Sequence, residues 1–486
     1  MAASISSPRA LLSVSCCSCF GVAFQFFLSF SSRSICFSFS FAQNNSLRYE
    51  NTSVVRLKYL SPEIETALDT YNVTYLSCRS HASVPEIIVS KDAKDWLSDR
   101  DIPYEVLVED LKQKMDQENA YMYRMRDQRD GEDWYNVYRT YDEVRVKLEE
   151  IANSSEIAST FNVGFSFENR LIKGIKLSTG GADDKPAVFF NGCQHAREWI
   201  TVMATTYLAD KLVQNYLTNN YIQSLLSEVD VYIVPIVNPD GYVYTHDDNG
   251  DRFWRKNRQV NIGSPYVGTD LNRNWDADWN GGQSTSTSPS SDVYVGTAPF
   301  SATEANVLKN YMQSIPNLRG HLDIHSYSAL VLGPWGYTND QTPDHEEIVS
   351  LGNAMNTAIT NTNNYPFTFG TGDANGSLYL ASGTMPDWSY DSLGVLGFTY
   401  ELRPNGGGLS GFDLDVSQII DACEENYNGA VEMILWASDA PIQSGCMDPT
   451  ACNYDPQSTV DDGSCAALDE CGQCGGEGPE FGYDCE

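Results

Sequence analysis

Pro186-Ala187-Val188-Phe189-Phe190 and, two residues later, Cys193-Gln194-His195-Ala196-Arg197-Glu198-Trp199 form the stretch that decides the fold. The apolar run predicts a buried strand, and the pattern from Trp199 to Tyr216 predicts a helix. In the turn between them, His195 and Glu198 can converge and offer a divalent metal one imidazole nitrogen and one carboxylate. A surface histidine beside a glutamate stabilised by the helix dipole would give the same pattern, so a third ligand is needed.

The alternation of strand and helix continues on both sides of this stretch. Further buried strands are predicted at Val229 to Ile236, Leu322 to Ser326 and Val395 to Tyr400. Further helices are predicted at Thr303 to Ser314 and Val416 to Trp436. Residues 134–440 therefore form the largest unit, and its class is α/β.

Two of these strands lead into side chains that could do chemistry. His325 lies at the end of its strand, at the edge where the ligands of open α/β sheets gather. With His195 and Glu198 it makes three protein ligands, and the position left for water is typical of a catalytic zinc. Glu401 directly follows an apolar strand and could be a buried base or a carboxylate paired with Arg403.

Two polar stretches contain tryptophan residues. They are Trp254-Arg255-Lys256-Asn257-Arg258 and Asp270-Leu271-Asn272-Arg273-Asn274-Trp275. Their guanidinium and amide groups suit bidentate capture of a carboxylate or stabilisation of an oxyanion. Solvated arginines in an ordinary loop are the alternative.

The composition excludes several classes of protein. Hydrophobic residues make up 42% and charged residues 20% of the 486 positions, which fits neither a disordered polyelectrolyte nor a polytopic membrane protein. The 31 Lys and Arg against 65 Asp and Glu give a net charge of -34, and so negative a surface repels phosphate backbones. Nucleic acid is therefore excluded as a partner, and no membrane span is expected.

The segments before the large unit have their own character. Residues 1–42 contain an apolar stretch and no Asp or Glu, which predicts a secretory signal peptide, with an organelle transit peptide as the alternative. Sequons for N-glycosylation favour an extracellular destination, and they begin at Asn44, Asn51, Asn72, Asn153 and Asn375. Residues 43–118 alternate strands with helices and predict a small open α/β sandwich. Residues 119–133 predict an exposed linker that a trypsin-like protease could cut near Arg126 or Arg129.

The tail at residues 445–486 has ten acids, six cysteines and no Lys or Arg. Cross-links or ions, rather than an apolar core, must therefore hold it together. An even set of cysteines in a short acidic segment predicts disulfides and an oxidising compartment. Calcium binding by its Asp residues is the alternative to a solvated, disulfide-stapled spacer.

Six fragments of the large unit share one family's motifs. They are His195-Ala196-Arg197-Glu198-Trp199, Trp254-Arg255-Lys256, Asn272-Arg273-Asn274-Trp275, His325-Ser326-Tyr327-Ser328, Asp387-Trp388-Ser389-Tyr390 and Phe398-Thr399-Tyr400-Glu401-Leu402-Arg403. In content and order they resemble the zinc metallocarboxypeptidases of the pancreatic carboxypeptidase A and B type. Residues 47–118 resemble that family's pro-domain by position. The resemblance implies a mixed central sheet with helices on both faces and a secreted zymogen that a trypsin-like protease activates.

The resemblance also implies roles for individual residues. His195, Glu198 and His325 would bind zinc. Asp270 would orient His195 through its second ring nitrogen. Glu401 would be the general base, which takes a proton from the attacking water and passes it to the leaving amine.

The same resemblance implies how the substrate is held. Arg255 would stabilise the oxyanion. Asn272, Arg273 and Tyr379 would hold the terminal carboxylate of the substrate, and Arg197 would line a subsite further along the peptide. Such a clamp implies an exopeptidase that acts on peptide or protein C-termini, because an internal peptide bond has no free carboxylate.

The pocket for the terminal side chain has Pro386 where members specific for basic residues have an Asp. Met385 and Ala381 lie beside it, with Gly336 and Thr399 on the walls. An apolar pocket favours aliphatic or aromatic C-terminal residues. The alternative function is a catalytically inactive carboxypeptidase-like binding protein with an adhesive or calcium-binding tail. The complete set of ligands, base and clamp favours the enzyme.

Overall fold

The computed structural model describes most of the chain from residue 49 onwards. The described residues are 49–71, 73–76, 84–127, 134–181, 185–371, 379–438, 444–446, 450–454, 460–461, 464–469 and 472–476. The signal peptide predicted at residues 1–42 lies outside them, as does a large part of the tail.

The N-terminal unit is a four-stranded antiparallel sheet in the order β2-β3-β1-β4. Its strands are β1 (Thr52–Leu57), β2 (Thr74–Tyr75), β3 (Glu86–Ser90) and β4 (Tyr104–Val108). Its helices are α1 (Pro62–Asp69), α2 (Lys91–Ser98) and α3 (Leu111–Asp127). Helices α1 and α2 each begin after a serine, Ser61 and Ser90, whose side chain accepts a hydrogen bond from a backbone N–H of the first turn.

This small sheet is buried on both faces. Because side chains alternate along a strand, Val55 and Ile87 pack with α1 and α2, whereas Val54 and Ile88 point to the opposite face. The cluster on that opposite face includes three residues of the large unit: Phe253, Leu409 and Phe412. The N-terminal unit is therefore attached to the large unit through an apolar contact.

Helix α3 runs into the segment that is predicted to be an exposed linker. It continues to Asp127, so the linker predicted at residues 119–133 begins inside a helix. Its residues are mostly good helix formers, and Lys112 pairs with Asp116 one turn later at 2.6 Å. These local preferences outweigh the absence of apolar periodicity. Arg129 lies outside the described residues.

The large unit is built on an eight-stranded mixed sheet in the order β11-β10-β12-β9-β7-β8-β6-β5. Its strands are β5 (Ala158–Phe165), β6 (Leu171–Leu177), β7 (Ala187–Gly192), β8 (Asp230–Val234), β9 (Leu318–Ser326), β10 (Leu330–Gly333), β11 (Thr368–Thr371) and β12 (Leu396–Leu402). The central strands β12, β9, β7 and β8 are parallel, and β10, β6 and β5 join by antiparallel pairing.

Helices cover both faces of this sheet. They are α4 (Tyr141–Ser154), α5 (Trp199–Thr218), α6 (Asn220–Glu228), α7 (Pro239–His246), α8 (Thr303–Met312), α9 (His345–Asn363), α10 (Met385–Leu393), α11 (Leu409–Phe412) and α12 (Ile419–Ala437). Val188 and Phe190 of β7 pack in one core cluster with α5 and α12. Ala187 and Phe189 pack on the other face with α8 and α10. A mixed sheet with helices on both faces confirms the predicted fold class.

The tail contains two short strands, β13 (Ser444–Gly445) and β14 (Val460–Asp461). Two disulfides join Cys446 to Cys465 and Cys452 to Cys474, which confirms that the tail is cross-linked. Among the described residues, no helix has the length and apolar character needed to cross a bilayer.

Candidate active site

The carboxyl ends of three adjacent parallel strands form the edge of the sheet that carries the predicted chemistry. Strand β9 lies between β7 and β12, and Gly192 of β7 is opposite Ile324 of β9. On the other side, His325 of β9 is opposite Glu401 of β12. Parallel strands bring their ends to one edge, so residues that are far apart in sequence meet there.

The turn between β7 and α5 brings the first two predicted ligands to this edge. A Cβ atom on Gly192 would lie 2.6 Å from Thr205 Oγ1, so the absence of a side chain lets α5 pack against the end of the strand. His195 and Glu198 follow in the turn, and both are buried. The Nδ1 atom of His195 lies 2.8 Å from Oε1 of Glu198.

The third predicted ligand completes the group. The Nδ1 atom of His325 lies 3.0 Å from Oε2 of Glu198 and 3.1 Å from Nδ1 of His195. Within the described part of the chain, these three residues are the group of histidine, cysteine and acidic side chains that could hold a metal ion. Two imidazole nitrogens and one carboxylate are a donor set that zinc prefers.

Each histidine uses its second ring nitrogen to contact a carboxylate. The Nε2 atom of His195 lies 3.0 Å from Oδ1 of Asp270, and Nε2 of His325 lies 2.8 Å from Oδ2 of Asp323. Both carboxylates favour the tautomer that carries its proton on Nε2. At His325 the 2.8 Å contact with Asp323 is shorter than the 3.1 Å contact of the same nitrogen with Nδ2 of Asn272. The Nδ1 lone pairs are then directed towards the shared point, which fits a zinc ion held by the three side chains.

The charges around the group favour a cation. Burial opposes the charged form of His325, but Asp323 and Glu198 on its two sides raise its pKa well above the usual range. Burial likewise opposes ionisation of Glu198, but the two histidines lower its pKa well below the usual range. The same negative field that keeps a proton on an imidazole would attract a divalent metal ion.

Cys193 lies two residues before His195 but does not belong to the group. It is fully buried, and burial raises the pKa of its thiol far above the usual range. A thiol ligates a metal as the thiolate, so a protonated, buried Cys193 leaves a position that a water molecule or a substrate can use.

Glu401 and Arg255 face the same space as the metal group. Burial raises the pKa of Glu401, with Glu198 and Asp323 adding to the shift and His325 and Arg255 opposing it. Arg255 is buried and donates from Nε and Nη2 to Oδ2 of Asp270, at 3.0 and 2.9 Å. Asp270 therefore links Arg255 to His195 and holds both side chains in place.

The predicted clamp residues line the same cavity, which has a volume of about 200 Å³. Arg273 is buried and donates from Nε to the carbonyl oxygen of Ser284 at 2.9 Å and from Nη1 to that of Asn272 at 2.6 Å. Asn272 accepts a hydrogen bond from the backbone of Met385 at 2.9 Å. Arg197 and Tyr379 also line the cavity, so the fold brings all the predicted substrate-binding residues together.

The side-chain pocket contains an acid, Asp387, that the sequence analysis names only as part of a family motif and does not place in the pocket. Pro386, Gly336, Ala381 and Thr399 line the cavity as expected, and Asp387 lines it as well. Both oxygens of Asp387 accept from the backbone N–H of Gly336, at 2.9 and 3.0 Å. Burial raises the pKa of Asp387 to about 7. The pocket wall is therefore less uniformly apolar than predicted.

Asp323 is the other buried acid at the site that the sequence analysis does not name. It lies two residues before His325 on the same strand, and side chains at i and i+2 share one face of a strand. That spacing could have identified it as a partner of His325. Asp387 lies in the first turn of α10, and this local position does not indicate a pocket. Its place in the pocket becomes apparent only from the fold, once the positions of β10 and β12 are known.

The fold and the site together define a zinc-dependent metallopeptidase. The model of the zinc carboxypeptidase family matches residues 144–429. Mouse carboxypeptidase A4 is 37% identical over 338 residues, which cover 69% of this chain and 79% of that relative. Mouse carboxypeptidase A2 is 35% identical over 364 residues, which cover 74% and 85%. The chain therefore belongs to the zinc carboxypeptidase family, and it is a metallocarboxypeptidase that uses zinc.

Solved structures agree with this assignment. Thrombin activatable fibrinolysis inhibitor superimposes with a TM-score of 0.71 at 28% identity, covering 80% of this chain and 100% of that chain. Carboxypeptidase A from Helicoverpa armigera superimposes with a TM-score of 0.68 at 26% identity, covering 81% and 98%. The similarity thus extends beyond the large unit to part of the remaining chain.

Proposed function

We propose that this chain is a secreted zymogen whose processed form removes single residues, preferably apolar or aromatic ones, from the C-termini of peptides. One observation carries the proposal. Two candidate ligands, His195 and Glu198, line one cavity with Glu401 and the guanidinium groups of Arg255 and Arg273. The third candidate ligand, His325, lies behind them with Nδ1 at 3.0 Å from Oε2 of Glu198. A base, an oxyanion stabiliser and a carboxylate clamp around a metal group are the parts that hydrolysis of a terminal peptide bond requires.

The proposed chemistry assigns one task to each side chain. His195, Glu198 and His325 would hold a zinc ion, which would supply Lewis-acid chemistry to the scissile carbonyl and to the attacking water. Glu401 takes the proton from the attacking water and later donates it to the leaving amine. Arg255 faces the oxygen that gains negative charge, and it keeps its orientation because Asp270 holds two of its N–H groups.

The terminal carboxylate of the substrate selects the peptide bond that is cut. Arg273 is fixed by two backbone carbonyl groups, and a guanidinium held in one orientation can bind a carboxylate in a bidentate manner. Paired peptides that end in a free carboxylate or in an amide test this role. We expect rapid cleavage of the free acid, loss of activity with a chelator and little cleavage of the amide. Equal cleavage of both peptides would contradict the proposal.

The preference for apolar residues rests on the lining of the pocket. Pro386, Ala381 and Gly336 are uncharged. The carboxyl group of Asp387 already accepts hydrogen bonds from the backbone N–H of Gly336. Peptides that differ only in a terminal Phe, Leu, Ala or Lys test the preference. We expect Phe and Leu to be the best substrates. Preferred release of Lys would contradict the apolar preference and would identify Asp387 as an anchor for a cation.

The proposed zymogen depends on contacts between the N-terminal unit and the rim of the cavity. Tyr327 lines the cavity and donates a hydrogen bond to the carbonyl oxygen of Leu76 at 3.1 Å. Phe412 also lines the cavity and packs in the apolar cluster beneath the small sheet. Glu86 accepts from the backbone N–H of Leu409 at 2.8 Å. Two residues of the substrate cavity are thus in contact with the segment that we expect to be removed.

Limited trypsin digestion tests activation. We expect activity to appear together with a fragment that begins after Arg126 or Arg129, identified by mass spectrometry. Full activity before digestion would contradict the zymogen. Secretion is tested separately, by determining the N-terminus of the protein released from a eukaryotic expression host. An N-terminus near residue 43 in the medium is the expected result.

A further inference from the structure

A set of polar side chains lies buried between β7, β9 and α10, on the side of His325 away from the metal group. Asn191, Gln194, His321, Asp323 and Ser389 all have zero exposure, although the surrounding strands are apolar. Burying a carboxylate is costly unless hydrogen bonds compensate it. Asp323 therefore needs an explanation that core packing does not provide.

Both carboxylate oxygens of Asp323 have hydrogen-bond partners. Oδ2 accepts from Nε2 of Gln194 at 2.6 Å and lies 2.8 Å from Nε2 of His325. Oδ1 accepts from Nδ2 of Asn191 at 2.7 Å. Among the hydrogen bonds and ion pairs of the described residues, Asp323 has two neutral amide partners and one imidazole, whereas Asp270 is shared with the permanent cation Arg255.

The neighbours of the two amides determine which way each amide is turned. The Oε1 atom of Gln194 accepts from the indole N–H of Trp275 at 3.2 Å, so its NH₂ group faces Asp323. The Oδ1 atom of Asn191 lies 2.9 Å from Nε2 of His321, so its NH₂ group also faces Asp323. Two amides fixed in this way prevent the carboxylate from rotating away from His325.

We infer that Asp323 is a positioning residue, which holds the proton of His325 on Nε2 and fixes the ring so that Nδ1 faces the metal. The inference rests on the proposed ligand set and adds a second carboxylate to it. A histidine ligand whose second nitrogen donates to a carboxylate is more basic and better oriented, so we expect Asp323 to strengthen zinc binding. Its task parallels that of Asp270, but the two acids are held by different partners.

The test is zinc affinity in the full-length chain, without a peptide substrate. Asp323→Asn keeps the shape of the side chain and removes its charge. We expect its zinc dissociation constant, measured by competition with a chromogenic chelator, to rise by about 10- to 100-fold. Because the readout is binding of the metal alone, failure of this inference would leave the proposed peptidase activity untouched.

Glu304→Gln is the matched control. Glu304 is also fully buried and accepts from a neutral amide, that of Asn257 at 2.6 Å, but it does not line the cavity. If Asp323 has only a structural role, both variants lower the melting temperature and leave the zinc constant within about twofold of the wild type. That result would overturn the inference. A raised zinc constant in Asp323→Asn alone would support it.

A second pair of variants keeps the inference falsifiable if Asp323→Asn does not fold. Asn191→Ala and Gln194→Ala each remove one donor to Asp323 and leave the carboxylate in place. We expect each to weaken zinc binding by a smaller factor than the loss of Asp323. The visible absorption spectrum of the cobalt-substituted variants should change as well, because it depends on the orientation of the ligands. Unchanged zinc constants and unchanged spectra in both would overturn the inference.

Discussion

Different interactions stabilise two regions of the large unit. One is the edge of the sheet that carries His195, Glu198 and His325, called the metal edge below, and the other is the surface that contacts the N-terminal unit. At the metal edge, buried charges are held by partners at hydrogen-bond distance: Asp270 by Arg255 and His195, and Asp323 by two amides and His325. The N-terminal unit is held by one apolar cluster and a few polar contacts at its border. Removing one partner of a buried charge is expensive, whereas an interface with few polar contacts can be released.

The largest expected effect is at the metal edge. In Glu401→Gln the base is lost while the shape of the side chain and the three ligands remain. We expect kcat/KM of the activated enzyme to fall by about 100- to 10,000-fold, which is the contribution typical of a positioned general base. Peptide hydrolysis measures the loss, and zinc content serves as the control because it should stay at one ion per chain. Activity within tenfold of the wild type would contradict the role of Glu401.

Arg273→Ala should have the next largest effect. A charged hydrogen-bonded pair contributes about 2 to 3 kcal/mol, so kcat/KM for a free-acid peptide should fall roughly 30- to 150-fold. The ratio of rates for the free acid and the amide should shrink by the same factor. Arg258→Ala is the matched control, because this guanidinium stacks 3.7 Å from the ring centre of Tyr244 and does not line the cavity. An unchanged ratio in Arg273→Ala would exclude Arg273 from the clamp.

The two regions also differ in how well the sequence predicts them. The apolar runs of β7, β8 and β12 identify the central strands, because parallel strands buried on both faces are almost continuously apolar. The edge strands β5 and β11 mix polar and apolar residues, so no continuous apolar run identifies them in the sequence. The ligands follow from their motifs at strand ends. Asp323 has the spacing of a partner of His325, but an acid inside a strand also fits a solvent-facing position. Only the fold shows that residues 320–326 of β9 are all buried.

The contact surface of the N-terminal unit depends on tertiary positions that sequence patterns do not contain. Val54 and Ile88 alternate with Val55 and Ile87, so the pattern predicts a strand with two apolar faces. It does not show that one face meets Phe253 and Phe412. Pairing between units that are separated by hundreds of residues is set by the fold, and local propensity carries no information about it.

A smaller effect is expected at the interface. Lys114 of α3 contacts Asp413 of the large unit at 2.5 Å and also pairs with Glu118. The pair of Lys114 and Asp413 is partly exposed, so its loss should weaken the attachment of the N-terminal unit by about 1 kcal/mol. Because a weaker attachment uncovers the cavity more often, Lys114→Ala should raise the activity of the uncleaved protein roughly fivefold. Lys112→Ala is the control, because Lys112 pairs with Asp116 on its own helix. Equal activities of the two variants would mean that the Lys114 contact does not hold the unit in place.

The smallest expected effect is a pH dependence of the attachment of the N-terminal unit, which arises from the group formed by Lys114, Glu118 and Asp413. Burial and the carboxylate of Asp413 raise the pKa of Glu118 to about 7, although Lys114 opposes the shift. Docking then favours the protonated form of Glu118, so attachment of the N-terminal unit is strongest below the ordinary pKa of 4.5 and weakens as the pH rises towards 7. We expect the activity of the uncleaved protein, divided by that of the trypsin-activated enzyme, to rise about threefold between pH 5.5 and 8. Glu118→Gln stays neutral and should abolish the rise, whereas a ratio that falls with pH would contradict the assignment.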